Sequence, residues 1–305
     1  MPTYSEIRRQ ELKHIEQSLK DDRKMKRELS RLYRSSAEDI QRQIDSEIMR
    51  FADKENVSMA KAKKIISKTD VEWYQDRAKR YSEQNNFSPK ANKEMRRFNV
   101  TMRTSRLELL QARINLDTVM LAWEEEQLTA KYITEEIIKE HIRQAGILGM
   151  TVPSRSQLET LAKSVLLSDV SGATFSDRIW ANQNELRNNI NQTIERALIR
   201  GEHPRKSAAS IKRLVRDDYG KANRAADRIL VTESARGQII AQRESYKAAG
   251  IEEYIYLAES SACDICSELD EKVFKVKDMV IGENAPFMHP FVNAPQPLIP
   301  NSCGA

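Results

Sequence analysis

Residues 29–48 read LSRLYRSSAEDIQRQIDSEI and contain neither glycine nor proline. Within this stretch, apolar side chains recur at steps of three and four residues, at Leu29, Tyr33, Ala37, Ile40, Ile44 and Ile48. That spacing places them along one face of an α-helix. Charged and polar side chains occupy nearly all of the other positions, so the stretch predicts a long amphipathic helix that packs its apolar face against a partner surface.

The placement of glycine and proline extends this interpretation in both directions. No glycine precedes Gly146, and Pro2 and Pro89 are the only prolines before it. A helix interior disfavours both residue types, by about 1 kcal/mol for Gly and about 3 kcal/mol for Pro relative to Ala. The first half of the chain is therefore predicted to form long helices, with a turn near residues 85–89 and a second helical run over about 90–145.

The second helical run carries both apolar and acidic side chains. Its inward face is predicted to hold Leu107, Leu110, Ile114, Met120 and Trp123. The acidic runs Glu124–Glu126 and Glu135–Glu136 are expected to be solvated, because carboxylates are mostly found at the surface. His14 and His141 lie in charged helical stretches and are expected at the surface as well.

The centre of the chain is predicted to contain shorter helices. Ser154 and Gln157 form a capping-box pattern that opens one of them. The next helix is predicted to bury Phe175, Ile179, Trp180, Leu186 and Ile190. Two more helices are predicted at about 204–215 and 221–249, the second ended by Gly250.

The character of the sequence changes after residue 250. Glu253–Ala258 and Lys272–Val276 are rich in β-branched and aromatic residues and predict two strands. Five of the nine prolines lie between Pro286 and Pro300, which predicts an extended or irregular tail.

The predicted fold is thus mainly α, with a small β-containing module at its C-terminal end. Three regions are proposed: long N-terminal helices over residues 1–150, a central helical domain over 151–250, and a β-hairpin module with Cys and His residues over 251–305.

A pair of cysteines lies between the two predicted strands. Cys263 and Cys266 are separated by two residues, a spacing that lets two thiols hold one metal ion from a tight turn. Structural zinc sites usually need four nitrogen or sulfur ligands, and His289 and Cys303 are the candidates to complete the set. The same two cysteines could instead be reduced thiols in a hairpin or a redox pair, and these alternatives stay open.

The net charge is +5, from 50 basic and 45 acidic residues. One basic segment could contact DNA phosphates without regard to sequence, and a solvated helix surface explains it equally well. The DNA-contact candidates are Lys206, Lys212, Arg213, Arg216, Lys221 and Arg224. No apolar run is long enough to span a membrane, and the N-terminus lacks a signal-peptide pattern, so synthesis in the cytoplasm is expected.

No catalytic pattern is recognised in the sequence. It lacks a nucleophile elbow, a Gly-rich phosphate loop and a His-Glu-x-x-His zinc helix. The sequence therefore predicts a protein without enzymatic activity. The alternatives kept open are a non-specific DNA-binding protein and a metal-dependent nuclease or toxin-type enzyme that uses the C-terminal region.

Four segments after residue 174 share the pattern of a known family. They are Phe175–Trp180, Ala197–Pro204, Arg228–Ala235, and Cys263–Phe274 followed by Pro286 and His289-Pro290. In this order and at these spacings they resemble the phage head morphogenesis family, the minor head proteins that include the F protein of phage Mu. The positions that carry the family pattern are Trp180, Gly201, Pro204, Arg228, Thr232, Glu233 and Asp270.

The resemblance implies a minor capsid protein of the virion, present in few copies. Its expected location is inside the head near the portal vertex, after synthesis in the host cytoplasm. The expected roles are head morphogenesis and genome packaging or DNA ejection. The expected partners are the portal protein, the major capsid or scaffolding protein, and packaged double-stranded DNA as a further candidate.

The C-terminal end departs from the family pattern. The family ends in His-Pro-x-Cys-x-Cys, whereas His289-Pro290 is followed here by Phe291, and Cys303 is the only later cysteine. The prediction for Cys263, Cys266, His289 and Cys303 is therefore weak or partial zinc occupancy.

Overall fold

The computed structural model describes residues 4–52, 76, 79–80, 83, 88–89, 106–169, 172–199, 204–258, 263–286, 288 and 298–300. This part of the chain is mainly helical, as predicted. Its principal helices are α1 (Tyr4–Ala52), α2 (Arg106–Leu148), α3 (Arg155–Leu166), α4 (Phe175–Ile199), α5 (Pro204–Ala248) and the single turn α6 (Asp264–Ser267). None of the described helices is long and apolar enough to cross a membrane.

The apolar stripe that opened the sequence analysis is buried in α1. The buried members are Leu29, Tyr33, Ala37, Ile40 and Ile44, while the side chain of Ile48 lies outside the described residues. On α2, Leu110, Ile114 and Met120 are buried and Trp123 is half-buried. The side chain of Leu107 and most of the predicted turn at 85–89 also lie outside the described residues.

The predicted start of α3 and the predicted inward face of α4 are confirmed. The Oγ of Ser154 accepts from the backbone N–H of Gln157, and the Gln157 side chain accepts from the Ser154 N–H at 2.9 Å. These bonds satisfy amide groups that have no partner within α3. On α4 the five predicted inward residues are all buried: Phe175, Ile179, Trp180, Leu186 and Ile190.

Helix α5 corrects the prediction of two helices at 204–215 and 221–249. It is one helix from Pro204 to Ala248, and Gly220 lies inside it. Val215, Tyr219 and Ala222 are 0%, 3% and 5% exposed. Burial of this face outweighs the cost of about 1 kcal/mol for a helical glycine. The helix ends as predicted, with Gly250 at a φ of 70°.

Alanine substitutions at the two glycines of α5 should change the free energy of unfolding in opposite directions. A Cβ at Gly237 would lie 2.7 Å from the Ile137 Cγ1, whereas a Cβ at Gly220 would meet only the Arg224 Nη1, at 3.6 Å. Gly237→Ala is therefore expected to lower the free energy of unfolding by about 1–3 kcal/mol through overpacking. Gly220→Ala should raise it by about 0.5–1 kcal/mol. Urea unfolding followed by circular dichroism measures both, and the same sign for both would contradict the proposed packing.

The C-terminal module contains a three-stranded antiparallel sheet in the order β2-β1-β3. Strands β1 (Glu253–Tyr256) and β2 (Val273–Lys275) confirm the two predicted strands. Strand β3 (Leu298–Pro300) fits the extended alternative predicted for the Pro-rich tail, and it adds a third strand that was not predicted, because it pairs with β1 through Tyr254↔Pro300. Pro300 lacks a backbone N–H, and an edge strand tolerates that loss.

The chain divides into two compact units. The first unit comprises Met1–Glu28, Leu128–Asp177 and Asp227–Ala305, and the second comprises Leu29–Gln127 and Arg178–Ala226. The sheet belongs to the first unit, where Tyr246, Tyr254 and Tyr256 are fully buried beside β3 and the turn after β2. Ile7 of α1 packs against Leu257 at the end of β1. The division proposed at residues 150 and 250 stays a prediction.

Candidate functional sites

Acidic residues of α2 are buried, contrary to the expectation of solvated faces. Glu125 and Glu136 are 1% and 2% exposed, and Glu140 is 1% exposed. They share one helical stripe whose members recur at three- and four-residue steps: Glu125, Thr129, Ile133, Glu136, Glu140 and Gln144. Because these glutamates are spaced from Ile133 at helical intervals, the sequence alone could have indicated that they are buried. The buried face of α2 is therefore partly polar.

In the first unit, Arg143 binds two buried carboxylates. Its Nη1 donates to the Glu11 Oε1 at 2.6 Å, and its Nε and Nη2 donate to the two Glu140 oxygens at 2.7 Å each. Gln144 and Gln242 each donate to the Glu140 Oε1 at 2.8 Å. We call these five residues the Arg143 cluster. It joins α1, α2 and α5 within this unit.

The two carboxyl groups of the Arg143 cluster respond differently to burial. For Glu11, burial raises the pKa above its ordinary value despite the contact with Arg143. For Glu140, burial also opposes ionisation, but the charge and hydrogen bonds of Arg143 hold its pKa well below the ordinary value. Glu140 is therefore a permanent anion under ordinary conditions, fully engaged by its donors and unsuited to proton transfer.

The two histidines expected at the surface lie in the same interior. His141 is 7% exposed, and its Nδ1 lies 3.2 Å from the Ser245 Oγ on α5. Burial lowers the pKa of His141. His14 is half-buried, and its Nε2 lies 3.2 Å from the Glu140 Oε2. The surface prediction is thus wrong for both, because each ring faces a partner helix of the first unit; His203 lies outside the described residues.

Asp22 of α1 and Glu136 of α2 are two further buried acidic residues of the first unit. The Tyr132 hydroxyl donates to the Asp22 Oδ1 at 2.8 Å, and Lys139 and Gln238 donate to Glu136 at 2.7 and 3.2 Å. Burial raises the pKa of Asp22 to about 6, against the lowering effect of the Tyr132 bond. Asp22 therefore becomes charged in the folded protein only near neutral pH.

The second unit has its own polar interior. The Tyr33 hydroxyl donates to the Glu125 Oε2 at 2.7 Å and accepts from Gln183 at 2.6 Å. The Gln183 amide also donates to the same Glu125 oxygen at 2.7 Å. Nearby, the Trp180 indole donates to the Glu126 Oε2 at 2.9 Å. The carboxylates of Glu125, Glu136 and Glu140 accept hydrogen bonds from neighbouring side chains, whereas the Glu11 Oε2 is buried without a donor in the described part of the chain.

The predicted DNA-contact residues on α5 divide into two groups. Arg213, Arg216 and Arg224 are exposed. Lys212 forms an ion pair with Asp45 on α1, and Lys221 lies 3.4 Å from the Asp218 carboxylate. The side chain of Lys206 lies outside the described residues. The arginines are thus the stronger candidates for an external anion.

The residues that carry the family pattern have mostly structural positions. Glu233 is 1% exposed and accepts from the Arg236 Nε at 2.8 Å, while Arg236 also donates to Ser168 after α3. Asp270 accepts the Ala258 N–H at 2.7 Å and so fixes the chain after β1. Pro204 is the first residue of α5. Arg228 is exposed and Thr232 half-buried; Gly201 lies outside the described residues.

The first cysteine of the pair precedes the short helix α6, and the second lies inside it. Cys263 is the N-cap residue and is exposed, whereas Cys266 is buried, and no disulfide joins them. Burial raises the pKa of Tyr256, and the adjacent Cys266 thiol adds to the effect. His289 and Cys303 lie outside the described residues. In the part of the chain that is described, no group of three or more His, Cys, Asp or Glu residues could hold a metal ion.

Two thiols supply half of a tetrahedral zinc site, so zinc binding stays a prediction. Elemental analysis of the purified protein should give less than one zinc per chain, because Cys303 is a poor fourth ligand on a Pro-rich segment. One zinc per chain that is lost in Cys303→Ser would instead establish a complete Cys3His site. No zinc, with unchanged stability in Cys263→Ser, would reduce the pair to reduced thiols of a hairpin.

A comparison with known families bears on the class of this protein. The described part of the chain is a set of helices with polar interiors and one small sheet. Residues 188–292 match the family model described as Phage Mu protein F like protein, which confirms the resemblance to the phage head morphogenesis family. The match includes three of the four segments that carried the resemblance and begins after Phe175–Trp180. No curated protein and no solved structure matches the chain.

Proposed function

We propose that this chain is a minor head protein of a phage virion, located inside the head near the portal vertex. Its proposed roles are head morphogenesis and genome packaging or DNA ejection. The observation that carries the proposal is the family match over residues 188–292, which spans all of α5 together with β1 and β2. The Glu233–Arg236 pair and the Asp270 contact, both inside that range, stabilise the matched part of this chain.

A non-enzymatic role agrees with the chemistry of the interior. The buried carboxylates Glu125, Glu136 and Glu140 all accept hydrogen bonds from neighbouring side chains. A general acid or base has to reach a substrate proton, and these groups face the packed interior. We therefore propose an assembly role rather than catalysis for this protein.

The proposed partner is the portal protein, with the major capsid or scaffolding protein as alternatives. Co-expression of the full chain with each of these proteins, followed by affinity purification and size-exclusion chromatography, tests the choice. We expect a complex with portal that survives chromatography. Gene deletion should yield heads that assemble, package or eject DNA abnormally, and wild-type infectivity of the deletion particles would contradict the proposal.

Contact with packaged DNA is the second proposed activity. It is favoured by the exposed positions of Arg213, Arg216 and Arg224 on α5. Double substitution of Arg213 and Arg216 by Ala should weaken binding equally for unrelated duplexes, because phosphates carry no sequence information. Gel shifts at two salt concentrations test this expectation. A clear preference of the wild-type protein for one duplex would contradict it.

A further inference from the structure

A groove of about 520 Å³ lies between α1 and α5 within the second unit. Two polar contacts join the helices near its ends: the Lys212–Asp45 ion pair, and a hydrogen bond from the Asn223 Nδ2 to the Ser30 Oγ at 3.1 Å. Between them, the hydroxyl oxygens of Tyr219 and Ser36 lie 2.9 Å apart. The groove therefore has fixed walls. We call it the Gly220 groove.

Gly220 lies in the floor of this groove, and the described part of the chain offers no packing reason for a glycine there. At Gly237, on the same helix, a Cβ would collide with Ile137, so close helix contact explains that glycine. At Gly220 a Cβ would have only the end of the flexible Arg224 side chain within 4 Å. A glycine inside a helix lowers the free energy of unfolding by about as much as a modest hydrogen bond raises it. Space for an external group above the backbone is a physical reason for its presence.

Two arginines, Arg34 of α1 and Arg216 of α5, line the Gly220 groove from opposite walls. Both are exposed, and neither forms an ion pair or hydrogen bond within the described part of the chain. The one acidic side chain in the lining is Glu38, also exposed. Two forked guanidinium groups that flank an open floor suit the oxygens of a phosphate.

We propose that the Gly220 groove binds a backbone phosphate of double-stranded DNA between Arg34 and Arg216. The proposal rests on the DNA contact proposed above and assigns it to a particular site. Arg213 and Arg224, both exposed on α5, flank the groove over 11 residues, roughly 16 Å of helix, so they reach neighbouring phosphates. An acidic protein segment fits less well, because the groove offers no exposed large apolar side chain as an anchor.

The first test compares matched charge removals in the full-length protein by fluorescence anisotropy with a labelled duplex. Arg34→Ala and Arg216→Ala should each weaken binding about tenfold at low salt and reduce the slope of log K against log salt by about 1. Arg9→Ala removes the same charge from an exposed position on α1 outside the groove and should leave binding unchanged. Equal effects of all three variants would overturn the groove assignment.

Two further variants test whether DNA binding depends on the shape and the charge of the groove while the fold stays intact. Gly220→Leu keeps every charge and favours the helix, yet it should fill the floor and weaken DNA binding about tenfold, with unchanged helical circular dichroism. Glu38→Gln removes a like charge from beside the phosphate and should strengthen binding. Unchanged DNA binding in Gly220→Leu, or weaker binding in Glu38→Gln, would overturn the proposal.

Competition with polyglutamate identifies the other possible occupant. If polyglutamate displaces DNA as effectively as unlabelled duplex at equal charge, the groove takes acidic protein and the DNA proposal is overturned. If DNA binding depends on Arg213 and Arg224 but not on Arg34 and Arg216, the groove inference fails while the DNA contact stands. If the wild-type protein does not bind DNA, both the groove inference and the proposed DNA contact fail. The portal experiment would still test the assembly role.

Discussion

Replacing Arg143 with Met is expected to lower the free energy of unfolding by about 3–5 kcal/mol at neutral pH. Arg143 is the cation that faces Glu11 and Glu140, each 1% exposed. Methionine has a similar length but no charge, so the variant would leave two carboxylates close together in an interior that cannot hydrate them. Loss of one partner from a buried ion cluster is among the most damaging single substitutions.

Arg155 provides the matched control for this experiment. It also pairs with two carboxylates, Glu135 at 2.5 Å and Glu159 at 2.8 Å, but more than half of its side chain is exposed. Arg155→Met should therefore lower the unfolding free energy far less than Arg143→Met does, because solvent screens an exposed pair. Urea unfolding followed by circular dichroism compares the two variants at one pH. Equal losses would show that the Arg143 cluster contributes no more than surface pairs do.

Replacing Asp22 with Asn is expected to stabilise the protein at neutral pH by about 1–3 kcal/mol. Burial raises the pKa of Asp22 from 3.8 to about 6, and each pKa unit corresponds to about 1.4 kcal/mol. The folded protein thus binds this proton more tightly than the unfolded chain does. The resulting stabilisation is fully present below pH 3.8 and is lost as the pH rises through about 6. Asn keeps an acceptor for the Tyr132 hydroxyl and carries no proton to lose.

The pH profile distinguishes this explanation from a general effect of lost charge. The difference between Asp22→Asn and the wild type should be small near pH 4 and reach its maximum above pH 7. Asp21 is the adjacent, partly exposed carboxylate, 3.8 Å from Lys139, and Asp21→Asn should change stability by less than about 0.5 kcal/mol throughout. Destabilisation by Asp22→Asn at pH 7 would contradict the proposed cost of ionising a buried carboxyl.

Apolar periodicity predicted much of the fold because the burial of an apolar side chain depends on that residue's own tendency to avoid water. Leu29 and Ile40 avoid water in any context, so their spacing was sufficient to identify the buried face of α1. The burial of Glu125 and Glu136 depends instead on donors 92 and 102 residues away, at Tyr33 and Gln238. A carboxylate is ordinarily placed at the surface, and only the three-dimensional fold supplies the partners that allow its burial.

Two backbone features that the sequence did not predict, the continuity of α5 and the strand β3, also depend on contacts between distant residues. Gly220 indicated a helix break because local propensity disfavours it, but the packing of Tyr219 and its neighbours keeps α5 continuous. Strand β3 contains a proline, and its pairing with β1 bridges more than forty residues of sequence. For the candidate DNA site, the sequence identified Arg216 on α5. Arg34 could not be associated with it, since only the packing of α1 against α5 brings the two into one groove.

The polar contacts between α1 and α2 also determine which alignment of these helices is allowed. Leucines and isoleucines tolerate exchange with one another at small cost, so an apolar seam alone permits two helices to slide by one turn, about 5.4 Å. Sliding would separate Arg143 from Glu11 and Tyr132 from Asp22 in the first unit, and Tyr33 from Glu125 in the second. Each separation would strand a charge away from water. These polar contacts therefore disfavour shifted alignments of α1 and α2 while the chain folds.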